Sequence, residues 1–238
     1  MTPDPAITAA FEATWPAAEY ADAGGFTVGR GMGAGGRVGS ARPTGTWTVA
    51  DIAAAIAIQR EWDQPALFRV GDDDTALADA LAAQGLNRHT PTAILSAPVA
   101  ALSDRTIPEI MTFDVWPPMA IQRSIWQAGN IGPARLAVME RAPMPKTAIL
   151  GRMEDRAAGA AFAAVHAGVV VVHAVEVLPF MQRRGLAGWM MRRAAVWGAA
   201  NGADRVALAV GRANEPALAL YQSLGFAEVG GYAYWQSE

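Results

Sequence analysis

Apolar residues recur along this chain at two spacings, and the switches between them mark its elements. Residues 5–14 read as a short helix, and GFTVGRG (25–31) with RVGSARP (37–43) as a glycine-linked strand pair. Thr48 and Asp51 make a T-x-x-D capping box ahead of ADIAAAIAIQREW, a helix with an apolar face. PALFRV (65–70) predicts a strand, DDTALADALAAQG (73–85) a helix ended by Gly85, and TAILSA (92–97) a strand. Two prolines and mixed signals in PVAALSDRTIPEI mark a linker, so 104–112 separates an N-terminal unit, 1–103, from a second unit, 113–238.

The second unit predicts helices at 119–128 and 132–141, then strands TAILGRME, AAGAAFAAVHA and VVVVHAVEV. A helix entered near Gly185 runs to about Asn201, followed by strand RVALAV (205–210), helix PALALYQSLG and closing strands in FAEVGGYAYW. Helices, then strands, then helix–strand–helix–strand imply a mixed sheet covered by helices. One internal repeat stands out. VGDDDTALADALAAQGL (70–86) lies over VGRANEPALALYQSLGF (210–226) without a gap at a constant shift of 140, the strand–loop–helix–turn pattern matching throughout. Two similar units therefore share the chain.

Composition narrows the chemistry. Hydrophobic residues at 52% and charged ones at 17% supply a packed core and argue against disorder. A net charge of −3 gives no reason to expect nucleic acid, and the absence of cysteine excludes disulfides and thiol catalysis. His89, His166 and His173 lack metal-ligand spacing, so no metal is expected. The N-terminus lacks a basic start and an uninterrupted apolar run, and the longest apolar window, 157–180, contains two His, a Glu and a Pro. The expectation is a cytoplasmic protein with no membrane contact. GMGAGG (31–36) matches a dinucleotide G-x-G-x-x-G pattern by letters, but no βαβ unit surrounds it, so it reads as a flexible hairpin tip.

The chemistry concentrates at QRRGLAGWMMRRAA (182–195). Pro179 ends the VEV strand, and the chain turns into a helix near Gly185. A helix start offers unpaired N–H groups and the positive end of a dipole. Gly185 and Ala187 lack bulk, so a phosphate or diphosphate could approach closely, and Arg183, Arg184, Arg192 and Arg193 add positive charge nearby. Downstream, NEPALALYQSLGF (214–226) has Asn214 as N-cap, leucines at core positions, and Tyr221 seven residues along.

Together these motifs resemble the Gcn5-related N-acetyltransferase (GNAT) superfamily, over roughly 113–238. Gln182, Gly185 and Ala187 match the family's Q/R-x-x-G-x-G/A, after a V-x-P strand end at 177–179. Asn214, Ala217, Leu220, Tyr221, Gly225 and Phe226 match its N-x-x-A-x-x-L-Y-x-x-x-G-F. The resemblance implies an α/β fold (α+β in its segregation): a GNAT-like mixed, mostly antiparallel sheet flanked by helices, in two tandem units, the first degenerate. It also implies acetyl-CoA, or another acyl-CoA, as donor, and a primary amine of a small molecule, amino acid or peptide as acceptor. By carry-over, Val175, Glu176 and Val177 would hold the pantetheine through their backbone. Gln182, Arg183, Arg184, Gly185, Leu186, Ala187 and Gly188 would wrap the diphosphate; Asn214 would touch the cofactor, and Tyr221 would face its sulfur as general acid.

No carboxylate stands on the inner part of VVVVHAV or on VALAV, where members often carry a base. Strand alternation points His173 with Val175 and Val177, and Glu176 the opposite way, which makes His173 the first candidate base and Glu176 the weaker one. The competing reading is a non-catalytic acyl-CoA-binding or regulatory protein without a working base. In the first unit Leu81 answers Tyr221 and Asp74 answers Asn214, so that half is expected to be a wall shaping the acceptor pocket, with Trp47, Trp62, Trp116 and Trp126 as candidate lining. Oligomeric state is left open.

Overall fold

Capping chemistry fixes the helix starts. Thr48 Oγ1 accepts from Asp51 N at 3.3 Å while Asp51 Oδ2 accepts from Thr48 N at 2.8 Å, so the capping box closes. In the computed structural model, which describes residues 4–237, the first half runs α1 (Pro5–Thr14), β1 (Glu19–Ala23), β2 (Phe26–Arg30), α2 (Gly36–Gly39), β3 (Ala41–Pro43), α3 (Val49–Glu61), β4 (Leu67–Gly71), α4 (Thr75–Ala83) and β5 (Asn87–Pro98). The second runs β6 (Thr112–Val115), α5 (Ala120–Ala128), α6 (Pro133–Arg141), β7 (Lys146–Met153), β8 (Arg156–His166), β9 (Val169–Val177), α7 (Leu186–Ala200), β10 (Arg205–Gly211), α8 (Glu215–Ser223) and β11 (Ala227–Gln236).

Two expectations change. GRVG (36–39) forms one helical turn, α2, because Gly35 at φ +105 turns the chain and Gly39 N donates to Gly35 O. GMGAGG is therefore the lead-in to a helical turn and not a hairpin tip. FAEVGGYAYW is a single strand with two register shifts, not two strands.

Among the described residues, all eleven strands form one sheet in the order β1-β2-β3-β4-β11-β5-β10-β9-β8-β7-β6. The pairs are mostly antiparallel; only β3–β4 and β9–β10 run parallel. The helices cover both faces. Ile149, Ala161, Ala163, Val170 and Val172 pack beneath α7, while their alternating neighbours Leu150, Ala160 and Phe162 pack beneath α5.

The repeat becomes a pseudo-twofold. Asp74 and Asn214 cap α4 and α8 with the same backbone, φ −89° in both, each accepting from the N–H three residues on. Gly85 and Gly225 end these helices at φ +81° and +83°. The closing strands are exchanged: β11 lies between β4 and β5, and β5 lies between β11 and β10. Thr92 pairs with Tyr232, its own counterpart at shift 140, so the axis passes between them. The flanking registers agree, Tyr232 opposite Gly71 and Thr92 opposite Gly211. Across the axis Arg212 pairs with Asp72 at 2.8 Å, opposite charges at equivalent positions.

This exchange makes the halves interdependent. Segment 113–238 expressed alone loses both partners of β11 and the antiparallel partner of β10, leaving long unpaired edges. We expect it to be aggregated or unfolded by circular dichroism and gel filtration, whereas the full chain is soluble. A soluble, folded fragment would show that the exchanged strands are dispensable.

Candidate functional site: a cleft where two parallel strands part

β9 and β10 pair only at Val169–Val171 with Arg205–Ala207 and then separate. Beyond that point β9 carries a bulge: Phe162 faces His173, but Ala160 faces Glu176, so Ala174 and Val175 together oppose Ala161. Ala174 is at φ +51°, and its carbonyl, lost to the ladder, accepts from the buried Trp126 Nε1 at 2.8 Å. A cavity of about 860 Å³ fills the gap and reaches both faces of the sheet. On the α7 face it is lined by Met181–Arg183, Gly185–Gly188, Asn214 and Tyr221; on the other by Trp15, Ala34–Arg37, Ile131, Arg135, Tyr232 and Tyr234.

The turn into α7 has the geometry of an anion cradle. Arg183 and Gly185 are left-handed, at φ +60° and +85°, and Gly185 caps α7 without a side chain, so the first amides of the helix have no capping oxygen. Gln182 Nε2 ties the turn to Val177 O at 2.9 Å. Of the cofactor-binding residues carried over by resemblance, every one lines the cavity except Arg184. Arg184 instead pairs with Glu154, Arg192 chelates Asp104 at 2.8 and 2.7 Å, and Arg193 reaches Asp114 and Thr112. Arg183 is the arginine of that group that lines the cavity.

Tyr221 stands on the α7 face, and burial pushes its phenol up to about 12, so it is a neutral proton donor. Among the described residues its hydroxyl has no hydrogen-bond partner. Asn214 keeps its N-cap bond to Ala217 N at 3.2 Å and lines the cavity as well.

The strand alternation expected for the base candidates is overturned. The bulge advances the phase by one residue, so His173 and Glu176 share the α5 face while Val175 and Val177 face α7. His173 is also tied at both nitrogens. Arg37 Nη2, which can only donate, lies 2.8 Å from Nδ1, so the ring proton sits on Nε2, 2.9 Å from Thr14 Oγ1. Thr14 passes its own proton to Ala10 O at 2.6 Å. Trp15 and Phe162 flank the ring. Burial first, and the Arg37 charge second, hold the imidazole well below its usual value. A ring whose lone pair is taken by a guanidinium is a poor base.

Among the described residues, Glu176 carries the one carboxylate in the cavity wall. Partial burial raises its pKa, and a bond from Val177 N–H offsets this in part. Its carboxyl lies over Gly129 at the end of α5, where a Cβ would come within 2.3 Å of it. The tryptophan expectation fails: Trp47 and Trp62 pack beside the α3–α4 core, Trp126 is fully buried, and Trp116 packs at a tilt against Phe162. Trp15, at the end of α1, lines the cavity instead.

Residues 122–226 match the Acetyltransferase (GNAT) family. The GNAT match lies within the second half, at this stretch. Among curated proteins, none matches the chain. A GCN5-related N-acetyltransferase from Kribbella flavida is similar over 98% of this chain and 95% of its own, with TM-score 0.69 and 16% identity. A functionally unknown conserved protein from Staphylococcus epidermidis gives 0.67 at 11% identity, covering 95% of each chain. A tandem GNAT protein from the clavulanic acid biosynthesis pathway gives 0.61 at 14% identity, covering 84% of this chain and 75% of its own. These structural likenesses show the GNAT fold alone. Among the described residues, no helix is long and apolar enough to cross a membrane, and no three His, Asp or Glu are grouped to hold a metal.

The buried neutral His173 makes folding pH-sensitive. Between its lowered folded value and 6.5 the unfolded chain binds a proton that the folded chain does not, so stability rises with pH through this window. It is lost as pH falls below 6.5, by up to about 1.4 kcal/mol per pH unit. His173→Gln keeps an acceptor for Arg37 and a donor for Thr14 without titrating. We expect urea midpoints at pH 7.5 and 5.5 to differ less in this variant than in the parent; equal drops would refute the assignment.

Proposed function

We propose that the chain is an acetyl-CoA-dependent N-acetyltransferase acting on the primary amine of a small molecule, amino acid or peptide. The observation that carries this reading is the cleft between β9 and β10, with Tyr221 on one face of the sheet and Glu176 on the other. The cleft fits the donor: small residues at the start of α7, uncapped amides and Arg183 suit a diphosphate, and unpaired strand edges suit a pantetheine amide. Acetyl-CoA supplies the thioester whose carbonyl the amine attacks. Glu176 takes one proton from the ammonium, directly or through one water, and its raised pKa keeps it basic enough to do so. Tyr221 hands its phenolic proton to the leaving sulfur and regains the second proton shed by nitrogen. The tandem arrangement gives the first half the role of a wall on the acceptor side.

Calorimetry with CoA and acetyl-CoA, followed by thiol release with an amine panel, tests the reading. Binding without thiol release from any amine would leave the binding-only alternative; no binding would remove both. Tyr221→Phe is expected to lower kcat about 100-fold with CoA affinity nearly unchanged; an unchanged kcat removes Tyr221 as the acid.

The base has a separate signature. The kcat/KM profile should fall at low pH with a midpoint above the ordinary carboxylate range, because only ionised Glu176 accepts a proton. Glu176→Gln should abolish that limb. Gly129→Ala adds a Cβ at a residue with ordinary φ, −91°, so it should shift the carboxylate and lower kcat while the melting temperature barely moves. A persistent limb in Glu176→Gln would show that another group is the base.

A further inference from the structure

Charge is unevenly spread around the cleft. Its lining includes three arginines, one neutral histidine and one carboxylate, Glu176. Arg183 belongs to the α7 turn, but Arg37 and Arg135 stand on the opposite face, where the amine must arrive if the donor enters along α7. These two converge on one loop. Arg135 Nη2 lies 3.7 Å from where a Cβ on Gly35 would be, and Arg37 follows two residues later. Gly36, between them, makes room for the Tyr234 ring, which would sit 2.9 Å from a Cβ there.

Neither guanidinium has a carboxylate within ion-pair distance among the described residues. Arg37 spends one N–H on His173 and lies against the rings of Phe11 and Trp15, with centroids at 5.6 and 5.3 Å. Glu12, a carboxylate whose charge reaches Arg37 weakly, is already shared by Arg42 at 3.0 Å and Arg69 at 2.5 Å. The Tyr232 and Tyr234 phenols add hydroxyls to the same wall. Such a chamber repels a polycation and lacks only an anion.

We propose that the acceptor is a small amine that carries its own carboxylate, an amino acid or similar amino-carboxylate, held by Arg37 and Arg135 with its amine turned to Glu176. This rests on the transferase reading and names its substrate class. The fixed Nε2–H tautomer of His173 then has a purpose: it leaves Nδ1 to anchor Arg37, aiming the remaining guanidinium N–H groups into the cleft. The transfer balances as before: nitrogen bonds to the acyl carbon, the carbon–sulfur bond breaks, Glu176 takes one ammonium proton, and the second replaces the one Tyr221 gives to sulfur.

The test uses the full chain, acetyl-CoA and matched acceptors: amino acids, their carboxamides, and cationic polyamines. A charge-assisted pair lost from the acceptor should cost about tenfold or more in kcat/KM, so carboxylates should exceed their amides by that factor and polyamines by more. Arg135→Gln, at an exposed position of α6 without an ion-pair partner, should shrink the carboxylate-to-amide ratio mainly through KM, and Arg135→Glu should invert it. General damage to the enzyme would leave that ratio unmoved. Equal or better turnover of amides or polyamines overturns the anionic acceptor and leaves the transferase standing. A ratio unmoved in both Arg135 variants and in Arg37→Lys overturns the assignment of these arginines. Absence of thiol release from every amine removes the transferase reading itself.

Discussion

A hydrogen bond from the Trp126 indole to Ala174 O holds the site's geometry together. The bulge at Ala174 costs β9 its ladder bonding there and sets a non-glycine residue at positive φ, which persists only where neighbours over-determine it. A fully buried Trp126 supplies both a donor and a packed wall. The bulge then brings His173 and Glu176 to one face, and β9 parts from β10 beyond Val171. One side chain on α5 thus stands behind both the cleft and the placement of its only carboxylate.

The exchanged strands secure the other side of the cleft. β10 is paired along its full length, Arg205 to Gly211, with β5, a strand of the first half, so it cannot swing back to close the gap. β11 carries Tyr232 and Tyr234 across the pseudo-twofold into the wall that α1 and the 34–37 loop complete. Residues from both halves therefore border one cavity, and neither half encloses it alone.

Much of this was legible in the sequence because it is local. Capping boxes, helix-ending glycines, the Q-x-x-G-x-A turn and the shift of 140 are written within a few residues of where they act. What escaped is non-local. Nothing near Ala174 announces a bulge, since its partner lies 48 residues earlier, and a one-residue phase change sends Glu176 to the other face. Arg184, Arg192 and Arg193 look like anion ligands by proximity in sequence, yet Glu154, Asp104 and Asp114 claim them. Trp15 could have been suspected as a rim residue from its place at the helix exit before Pro16.

Differences across the pseudo-twofold also show why one half has an open cleft and the other does not. Parallel β3 and β4, the counterparts of β9 and β10, share the single pair Ala41–Phe68. Their gap is stapled: Glu12 takes Arg42 from β3 and Arg69 from β4, and Gln59 bonds both the N–H and the carbonyl of Leu67. Opening it would strand a partly buried charge cluster, a loss of several kcal/mol for a broken buried pair. Where the second half has Arg212, Ala213 and Asn214 before α8, the first has Asp72, Asp73 and Asp74, and fully buried Leu81 replaces Tyr221. Closing the first gap also engages Glu12 with Arg42 and Arg69, away from Arg37. Closing one gap thus leaves the open cleft in the other half with a positive wall.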